Sequence, residues 1–378
     1  MSLVESQVFR RLSMKATALR LPLDGSLELT PLCNMDCKMC YVKMTADQQE
    51  AIAPLKSKEE WLAMAEELKS AGVLYLLLTG GEPFSRKDFK DIYIALQSMG
   101  FFITINSNGT LIDEKVMEWL RDYPPARINI TMYGASDETY KKLCMFSQGF
   151  TRVTRGIRLL LDAGIDVKVN FTVTSYNKGD METVISLIKE WGMFSQVATY
   201  IFPPMRKDAS AIGYNDRMSP EEAAYVDIVR EICQSGEEKF LAHLEAVEQG
   251  REIQRDMNED CMADGVLCRA GRSSFWMTWD GRMSPCGMMD RPVAYPFQDG
   301  FQNAWDQIVE KTEKIRLAPE CTGCSLKQHC RPCAAMNLTE TGSFDKVPQY
   351  RCAMAKAFLT EGAKVREKLI KEKSKGIS

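Results

Sequence analysis

Histidine is scarce in this chain: only His243 and His329 occur among 378 residues. Histidine is the usual base of Ser-His and Cys-His nucleophilic mechanisms and a common metal ligand. The sequence therefore leaves little room for His-rich metal sites or for enzymes that work through either pair.

Long apolar runs are missing as well. The longest strongly apolar stretch, residues 73–78, falls far short of the roughly 20 residues that cross a bilayer. Arg10, Arg11, Lys15 and Arg20 interrupt every apolar run near the N-terminus, so the unbroken segment of about 7 to 15 residues that marks a secretory signal is absent. We expect a cytoplasmic protein without a membrane partner.

Neither sign of charge is in large excess. The chain has 48 Lys plus Arg against 51 Asp plus Glu, a net charge of -3. This balance gives no general attraction to a polyphosphate, so we do not expect nucleic acid as a partner. With 45% hydrophobic residues, the chain can bury the cores of two or three domains.

Cysteine, in contrast, is abundant, with 13 residues. Disulfides are rare in a reducing cytosol, so grouped cysteines there indicate metal or redox chemistry. Three cysteines lie within residues 33–40 and eight within residues 261–352. We interpret the remaining two, Cys144 and Cys233, as structural, since nothing charged near them in sequence suggests a depressed thiol pKa.

Short apolar, β-branched runs alternate with amphipathic helical stretches from Leu27 to Phe202, which predicts a parallel sheet of β/α units. The six predicted strands cover residues 27–32, 74–78, 101–106, 128–132, 167–173 and 197–201. The predicted helices between them cover residues 58–70, 87–98, 113–121, 153–163 and 181–191. Six such strands fit a curved partial barrel or an open sheet.

The residue pattern divides the whole chain into five segments. We predict an N-terminal extension (residues 1–25), the β/α domain (26–216), a helical linker (217–260) that includes a helix over 243–257, a Cys-rich domain (261–352) and a C-terminal helix (353–378). The Cys-rich segment has little apolar periodicity, so bound metal is expected to replace a missing core.

The first cysteine group has the spacing C-x3-C-x2-C and directly follows the first predicted strand. Cys33, Cys37 and Cys40 then lie at the C-terminal end of that strand, where barrel enzymes carry their active sites. Four-iron clusters are normally held by four cysteines, so three leave one iron open to a substrate or cofactor. The same residues would also suit an incomplete zinc knuckle or three buried thiols.

This triplet resembles that of the radical S-adenosylmethionine (SAM) superfamily. The second predicted strand ends in Thr79-Gly80-Gly81-Glu82-Pro83, similar to the family's Gly-Gly-Glu-Pro motif. Two glycines let a backbone approach a ligand closely, and the Glu82 carboxylate can pair with an α-ammonium group. Further along, Asn106-Ser107-Asn108-Gly109 resembles the family's Thr-Asn-Gly turn, and Thr131-Met132-Tyr133-Gly134 resembles its Ser-x-Asp-Gly.

The resemblance implies both fold and reaction. The fold is a partial (β/α)6 TIM-like barrel, and a reductant such as flavodoxin or ferredoxin supplies electrons. SAM is cleaved to methionine and a 5'-deoxyadenosyl radical that abstracts hydrogen from the substrate. The cofactor carries the hard step, and the protein orients the reactants and excludes water. The implied SAM contacts are Tyr41, Thr79, Gly80, Gly81, Glu82, Asn108, Thr131 and Arg152.

The second cysteine group resembles the SPASM extension of radical SAM peptide maturases. Its pattern is C-x12-G-x4-C from Cys268, then C-x2-C-x5-C-x2-C and a last Cys352. The final x2 spacing departs from the family's usual x3. The resemblance implies two auxiliary 4Fe-4S clusters, three clusters in total, with Cys261, Cys268, Cys286 and Cys333 on the nearer one and Cys321, Cys324, Cys330 and Cys352 on the farther. A pair of zinc sites is the alternative that this spacing leaves open.

The resemblance further implies a peptide or protein substrate. Residues 131–140 look like the Tyr-Gly-Ala-Ser/Thr form found in maturases of ribosomally made peptides (RiPPs). An anaerobic sulfatase maturase, the main alternative, is expected to carry Asp after the third auxiliary cysteine. Here Gly287 follows Cys286, and the nearby Asp290 is our candidate catalytic residue, although a surface carboxylate is the simpler interpretation.

Other readings of the function stay open. Only 26 residues precede the first predicted strand, too few for a leader-binding winged-helix domain, so a separate protein binds the leader, no leader is needed, or the target is a small molecule. An iron-sulfur electron carrier or a zinc-stabilised binding module is the alternative of another class. We expect the substrate where the barrel mouth meets the Cys-rich region, with Tyr133, Asp208 and Asp290 in its lining.

Overall fold

Eight strands form one sheet in the part of the chain that the computed structural model describes, residues 7–204, 212–213, 216–251 and 264–374. The first six are β1 Asp24–Glu28, β2 Tyr75–Thr79, β3 Phe102–Ser107, β4 Arg127–Met132, β5 Val167–Thr172 and β6 Phe194–Ala198. All six are parallel and adjacent in chain order, which confirms the predicted α/β class.

The sheet has two strands more than the sequence predicts. Strands β7 Ser274–Met277 and β8 Met283–Ser284 come from the Cys-rich region. Strand β7 runs parallel to β1, with Asp24 opposite Ser274, and β8 pairs antiparallel with β7. The Cys-rich region therefore shares a sheet with the barrel, next to the strand that leads into the first cysteine group.

Helices cover one face of the parallel sheet. After the mostly exposed α2 Ala46–Ile52, they are α3 Lys58–Ser70, α4 Phe89–Ser98, α5 Glu114–Leu120, α6 Asp137–Cys144, α7 Gly149–Asp162 and α8 Met181–Glu190. Helix α3 begins with a capping box between Ser57 and Glu60 and buries Trp61, Met64 and Leu68 at helical spacing. Its bounds are those predicted from the same pattern.

The two faces of the sheet differ in chemistry. Buried and partly exposed residues alternate along β3, β4 and β5, as the two-residue period of a strand requires. The buried set is apolar and packs under the helices, as at Ile105, Ile130 and Val169. The partly exposed set is polar, as at Asn106 and Asn170. The inner face therefore surrounds an open, polar interior rather than a packed core.

The N-terminal segment contributes structure that the predicted extension did not include. Helix α1 Gln7–Leu19 lies at the start of the strands: the ring of Phe9 meets Tyr75 edge-on at 4.8 Å, and Tyr75 stacks on Phe102 at 5.3 Å. Strand β1 begins at Asp24, three residues before the predicted start. Pairing on both sides outweighs the weak strand propensity of Asp24-Gly25-Ser26.

The C-terminal part is helical apart from the two added strands. Its helices are α9 Pro220–Ser235, α10 Glu237–Glu248, α11 Pro296–Asp299, α12 Phe301–Glu313, α13 Pro319–Thr322, α14 Lys327–Cys330, α15 Ala334–Thr341 and α16 Gln349–Ser374. The predicted helix over 243–257 begins earlier, at Glu237, and ends earlier, at Glu248, while residues 252–257 lie outside the described ranges. Among the described helices, none is long and apolar enough to span a membrane.

The Cys-rich region has only a small apolar cluster of its own. Val266, Met289, Ile315, Leu317 and Leu338 belong to it, and Cys286 and Cys333 pack against it. That the region has too little core to fold alone stays a prediction.

Candidate active site

The first cysteine group lies in a loop that follows β1 and is fixed by the end of α6. The backbone N–H groups of Asp36 and Lys38 donate to the carbonyl oxygens of Cys144 (3.0 Å) and Leu143 (2.9 Å). Backbone N–H groups also point at two of the sulfurs, from Met35 to Cys33 Sγ (3.4 Å) and from Lys43 to Cys40 Sγ (3.3 Å). The loop is therefore held from outside while its sulfurs receive hydrogen bonds of the kind that a thiolate favours.

A cavity of about 430 Å³ opens beside this loop, at the C-terminal ends of the parallel strands. This volume lies in the usual range for small-molecule and cofactor sites. Nine of the predicted site residues line it: Cys33, Cys37, Cys40, Tyr41, Thr79, Gly80, Gly81, Asn108 and Thr131. The predicted lining residue Tyr133 is there as well.

The two glycines after β2 are required by close backbone packing. A Cβ atom on Gly80 would lie 2.4 Å from the carbonyl oxygen of Thr30, and one on Gly81 would lie 2.2 Å from that of Leu32. The Gly81 N–H donates to Thr30 O at 2.6 Å. These contacts bring the end of β2 against the approach to the cysteine loop, and so place both backbones in the cavity wall.

Glu82 lies behind that wall rather than in it. Its carboxylate is fully buried and accepts hydrogen bonds from Ser107 Oγ (2.9 Å), the Asn108 N–H (2.7 Å) and the Phe84 N–H (3.1 Å). Asn108 Nδ2 in turn donates to Asn34 Oδ1 at 2.9 Å, next to Cys33. The carboxylate therefore supports the turn after β3 and, through it, the cysteine loop. Its pairing with an α-ammonium group stays a prediction.

Burial raises the pKa of Glu82 to about 7, against the opposing effect of its three hydrogen bonds. A folded-state pKa above the unfolded value means that the contribution of Glu82 to stability is full below about pH 4.5 and is lost as the pH rises through about 7. We therefore compare the free energies of unfolding of Glu82→Gln and the wild type. As the pH rises from 5 to 8, the difference between them should shift in favour of the variant by on the order of 2 kcal/mol. Urea unfolding of both metal-free proteins at the two pH values measures this difference. A difference independent of pH would contradict it.

The structure does not bring two of the predicted residues to the cavity. Arg152 is exposed on α7, where it bonds Gln148 Oε1 at 3.3 Å and lies 5.4 Å over the ring of Phe146. Asp290 is half-exposed beside Arg291, at a separate cavity of about 80 Å³. Local partners on the surface hold both side chains. Asp208 lies outside the described residues.

Several lining residues carry no motif that the sequence could reveal. Asn170 and Thr172 come from β5, Tyr200 and Phe202 follow β6, and Met288 comes from the Cys-rich region. Their common signal is position, at or just beyond the C-terminal ends of strands, or next to Cys286. Among the described residues that line this cavity, none is charged.

A buried network joins the cavity to the Cys-rich region. Tyr200 donates its hydroxyl to Glu340 Oε1 on α15, and Arg217 Nη1 lies 3.3 Å from the same oxygen. The Tyr350 N–H donates to Glu340 Oε2 at 3.2 Å, and the Arg217 guanidinium lies 3.9 Å over the Tyr350 ring. The side chains of Glu340 and Arg217 are 5% and 15% exposed. One carboxylate therefore holds groups from both parts of the chain.

The described cysteines of the second group fall into two sets. Cys321, Cys324, Cys330 and Cys352 line one cavity of about 210 Å³, together with Cys333. Burial raises the pKa of Cys321 to about 11, and the thiols that add to this effect are Cys330, Cys352 and Cys324. This is the set that the resemblance implies for the farther cluster.

The other set consists of Cys286, Cys268 and Cys333. The pKa of Cys286 is raised to about 12, chiefly by burial, and Cys268 and Cys333 contribute to the rise. The thiols of one set must therefore lie close enough to feel each other's charge. The fourth residue implied for this set, Cys261, lies outside the described residues.

The donor geometry suits clusters better than single ions. Within the described ranges, no three His, Cys, Asp or Glu side chains converge as the ligands of one metal ion would. A zinc ion needs four ligands at about 2.0 to 2.3 Å from one centre, whereas the cysteines of a cubane bind different irons and surround a larger body. The central cavity, lined by three cysteines, and the second cavity, lined by four or more, fit the larger body of a cubane.

Comparison with known proteins places these features in a family. The family model described as the Radical SAM superfamily matches residues 27–188. The chain is 26% identical to an AdoMet-dependent heme synthase of Methanosarcina barkeri, over 84% of this chain and 92% of the relative. It is 24% identical to the sporulation killing factor maturation protein SkfB of Bacillus subtilis, over 80% of this chain and 68% of the relative.

Among solved structures, anSMEcpe with bound AdoMet superposes with a TM-score of 0.66 at 19% identity, covering 92% of this chain and 99% of the other. The same protein has been solved with AdoMet and the Cp18Cys peptide, with a TM-score of 0.65. At this identity the likeness establishes the shared fold.

Proposed function

Because the chain is a radical SAM superfamily enzyme, we propose that it modifies a side chain of a peptide or protein, as a maturase of ribosomally made peptides. The observation that carries the proposal is the central cavity. Its wall has three cysteines on one side and uncharged side chains on the others, and it extends to Met288 of the Cys-rich region. The likeness to SkfB supports a peptide substrate.

The chain's own residues fit the implied cofactors. Cys33, Cys37 and Cys40 would hold a 4Fe-4S cluster with one iron left open, and the backbone at Gly80 and Gly81 would form the wall beside SAM. When bound, these cofactors supply a 5'-deoxyadenosyl radical by one-electron cleavage of SAM, with electrons from a carrier such as flavodoxin or ferredoxin. The protein positions the substrate carbon and excludes water.

The uncharged lining of the central cavity favours some classes of substrate over others. Desolvating an isolated charge costs several kcal/mol or more unless a partner compensates it. A haem-type macrocycle carries propionates and a nucleoside triphosphate carries phosphates, and the described lining offers neither of them a cation. A neutral side chain of a peptide needs no such partner, which supports a peptide over those small molecules.

The second cysteine group would hold two auxiliary clusters. The set of Cys321, Cys324, Cys330 and Cys352 can close one cluster with four thiolates, and Cys268, Cys286 and Cys333 would need Cys261 to close the other. The network through Glu340 fixes this region beside the cavity mouth. We assign these clusters the role of electron transfer with the bound substrate.

Sulfatase maturation is the second candidate, and the structure gives it less support. That activity would need a carboxylate at the substrate, and Asp290 is half-exposed and outside the central cavity. The fold likeness to anSMEcpe alone does not separate the two activities.

Anaerobic reconstitution with iron and sulfide, followed by dithionite and SAM, tests the enzyme class. We expect 5'-deoxyadenosine to form, as quantified by chromatography. Its absence from a protein that carries its clusters would indicate an electron carrier, and zinc retained in place of iron would indicate a binding module.

The substrate is tested by co-expression with a short Cys-rich or Gly-rich peptide encoded beside the gene. A change in peptide mass that depends on Cys37 supports the maturase. An unmodified peptide, together with formylglycine in a co-expressed sulfatase, would favour the second candidate.

A further inference from the structure

Tyr133 lines the central cavity, and its hydroxyl group has no hydrogen-bond partner among the described residues. Cys33, Cys37 and Cys40 line the same cavity. The contacts that involve Tyr133 in the described part of the chain are made by its backbone and its ring. A half-buried phenol without a hydrogen bond is uncommon in folded proteins and calls for a ligand as the missing partner.

The position of this phenol is fixed on three sides. The Tyr133 N–H donates to the Tyr140 hydroxyl oxygen at 3.1 Å, Asn177 Nδ2 donates to the Tyr133 carbonyl oxygen at 3.0 Å, and the Tyr140 ring meets the Tyr133 ring edge-on at 5.8 Å. The phenol is therefore preorganised, with only its hydroxyl end left for a ligand.

The same helix that fixes Tyr133 also fixes the cysteine loop. Tyr140 lies on α6, and the end of α6 accepts hydrogen bonds from Asp36 and Lys38 of the loop. A phenol keeps its proton at neutral pH, so the hydroxyl of Tyr133 can act as a donor toward this side of the cavity.

We propose that the Tyr133 hydroxyl donates a hydrogen bond to an anionic sulfur of the cluster held by Cys33, Cys37 and Cys40, and thereby raises its reduction potential. This inference rests on the proposed function, since it requires that cluster. A hydrogen bond to sulfur favours the reduced state, which carries more negative charge. Tyr133 is then a positioning residue that makes the first electron transfer easier.

Tyr133→Phe tests this inference, because it keeps the ring and removes the hydroxyl. The cluster is followed in the reconstituted, SAM-free protein by a redox titration with electron paramagnetic resonance, and is identified as the one whose signal changes when SAM is added. We expect a lower midpoint potential, with up to about tenfold less reduced cluster at a fixed potential, which corresponds to about 59 mV for one electron.

Tyr176→Phe is the matched control. The Tyr176 ring contacts Lys38 of the same loop, with Nζ 4.1 Å from the ring centre, and lies outside the cavity lining. It should leave the potential unchanged. Should Tyr133→Phe fold poorly, Tyr140→Phe removes the acceptor for the Tyr133 N–H and should lower the potential by a smaller amount.

Two results would overturn the inference. An unchanged potential with weaker SAM binding would make SAM, not the cluster, the partner of the hydroxyl; an unchanged potential with unchanged SAM binding would leave the phenol no role at this site. A wild-type protein without any SAM-responsive cluster would instead overturn the proposed function together with this inference.

Discussion

Replacing Cys37 by alanine should reduce 5'-deoxyadenosine formation to background. Cys37 is 6% exposed in the loop after β1, and it shares the central cavity with Cys33 and Cys40. With one of only three thiolates removed, a second iron would lose its protein ligand, and the cluster could not persist through reconstitution. Iron and sulfide content, the SAM-responsive resonance signal and 5'-deoxyadenosine should all fall together.

Cys144→Ala is the control for this experiment. Cys144 is fully buried beside the same loop, and the contact that it makes with Asp36 uses its backbone carbonyl, which alanine retains. We expect this variant to keep the cluster and the activity. Full activity in Cys37→Ala, or loss of the cluster in Cys144→Ala, would show that the ligands are assigned wrongly.

Replacing Glu340 by alanine should lower the free energy of unfolding by about 3 to 5 kcal/mol, the usual result of breaking a buried ion pair from one side. The substitution leaves Arg217 without its carboxylate and removes the acceptor of both the Tyr200 hydroxyl and the Tyr350 N–H. Each buried donor left unsatisfied adds to the cost. Anaerobic denaturation of the reconstituted protein measures the loss.

The matched control is an exposed pair on α12. Glu310 and Lys314 lie 2.6 Å apart with side chains 68% and 70% exposed, so Glu310→Ala should leave the stability unchanged. A double variant, Arg217→Met with Glu340→Leu, should recover part of the loss because no unpaired charge is then buried. If Glu340→Ala behaved like Glu310→Ala, the network would not hold the two parts of the chain together.

The parallel strands were predictable because their apolar, β-branched runs are short and evenly separated by helical patterns. Strand β4 was predicted at 128–132 and is found at Arg127–Met132. Strands β7 and β8 were not predicted, because four and two residues are too few to show a period. Their partners lie far away in sequence, and only the folded chain brings β7 to β1.

In the candidate site, too, the residues that follow local sequence patterns were predictable and the others were not. Residues at the ends of predicted strands, such as Thr79 and Thr131, were predictable from motifs and do line the cavity. Arg152 was assigned from the family resemblance alone, which does not fix the direction of a long side chain, and it points to the surface. Met288 reaches the cavity only because the Cys-rich region packs at its mouth, which no local pattern encodes.

The pairing of β1 with β7 also has a consequence for synthesis on the ribosome. Strand β1 leaves the ribosome some two hundred and fifty residues before its neighbour Ser274–Met277. Until then one edge of β1 has no partner, and an open edge invites pairing with other chains. The nascent polypeptide must therefore protect the approach to its cysteine loop until Ser274–Met277 has been synthesised, and a chain that terminates before that point would be prone to aggregate at this strand.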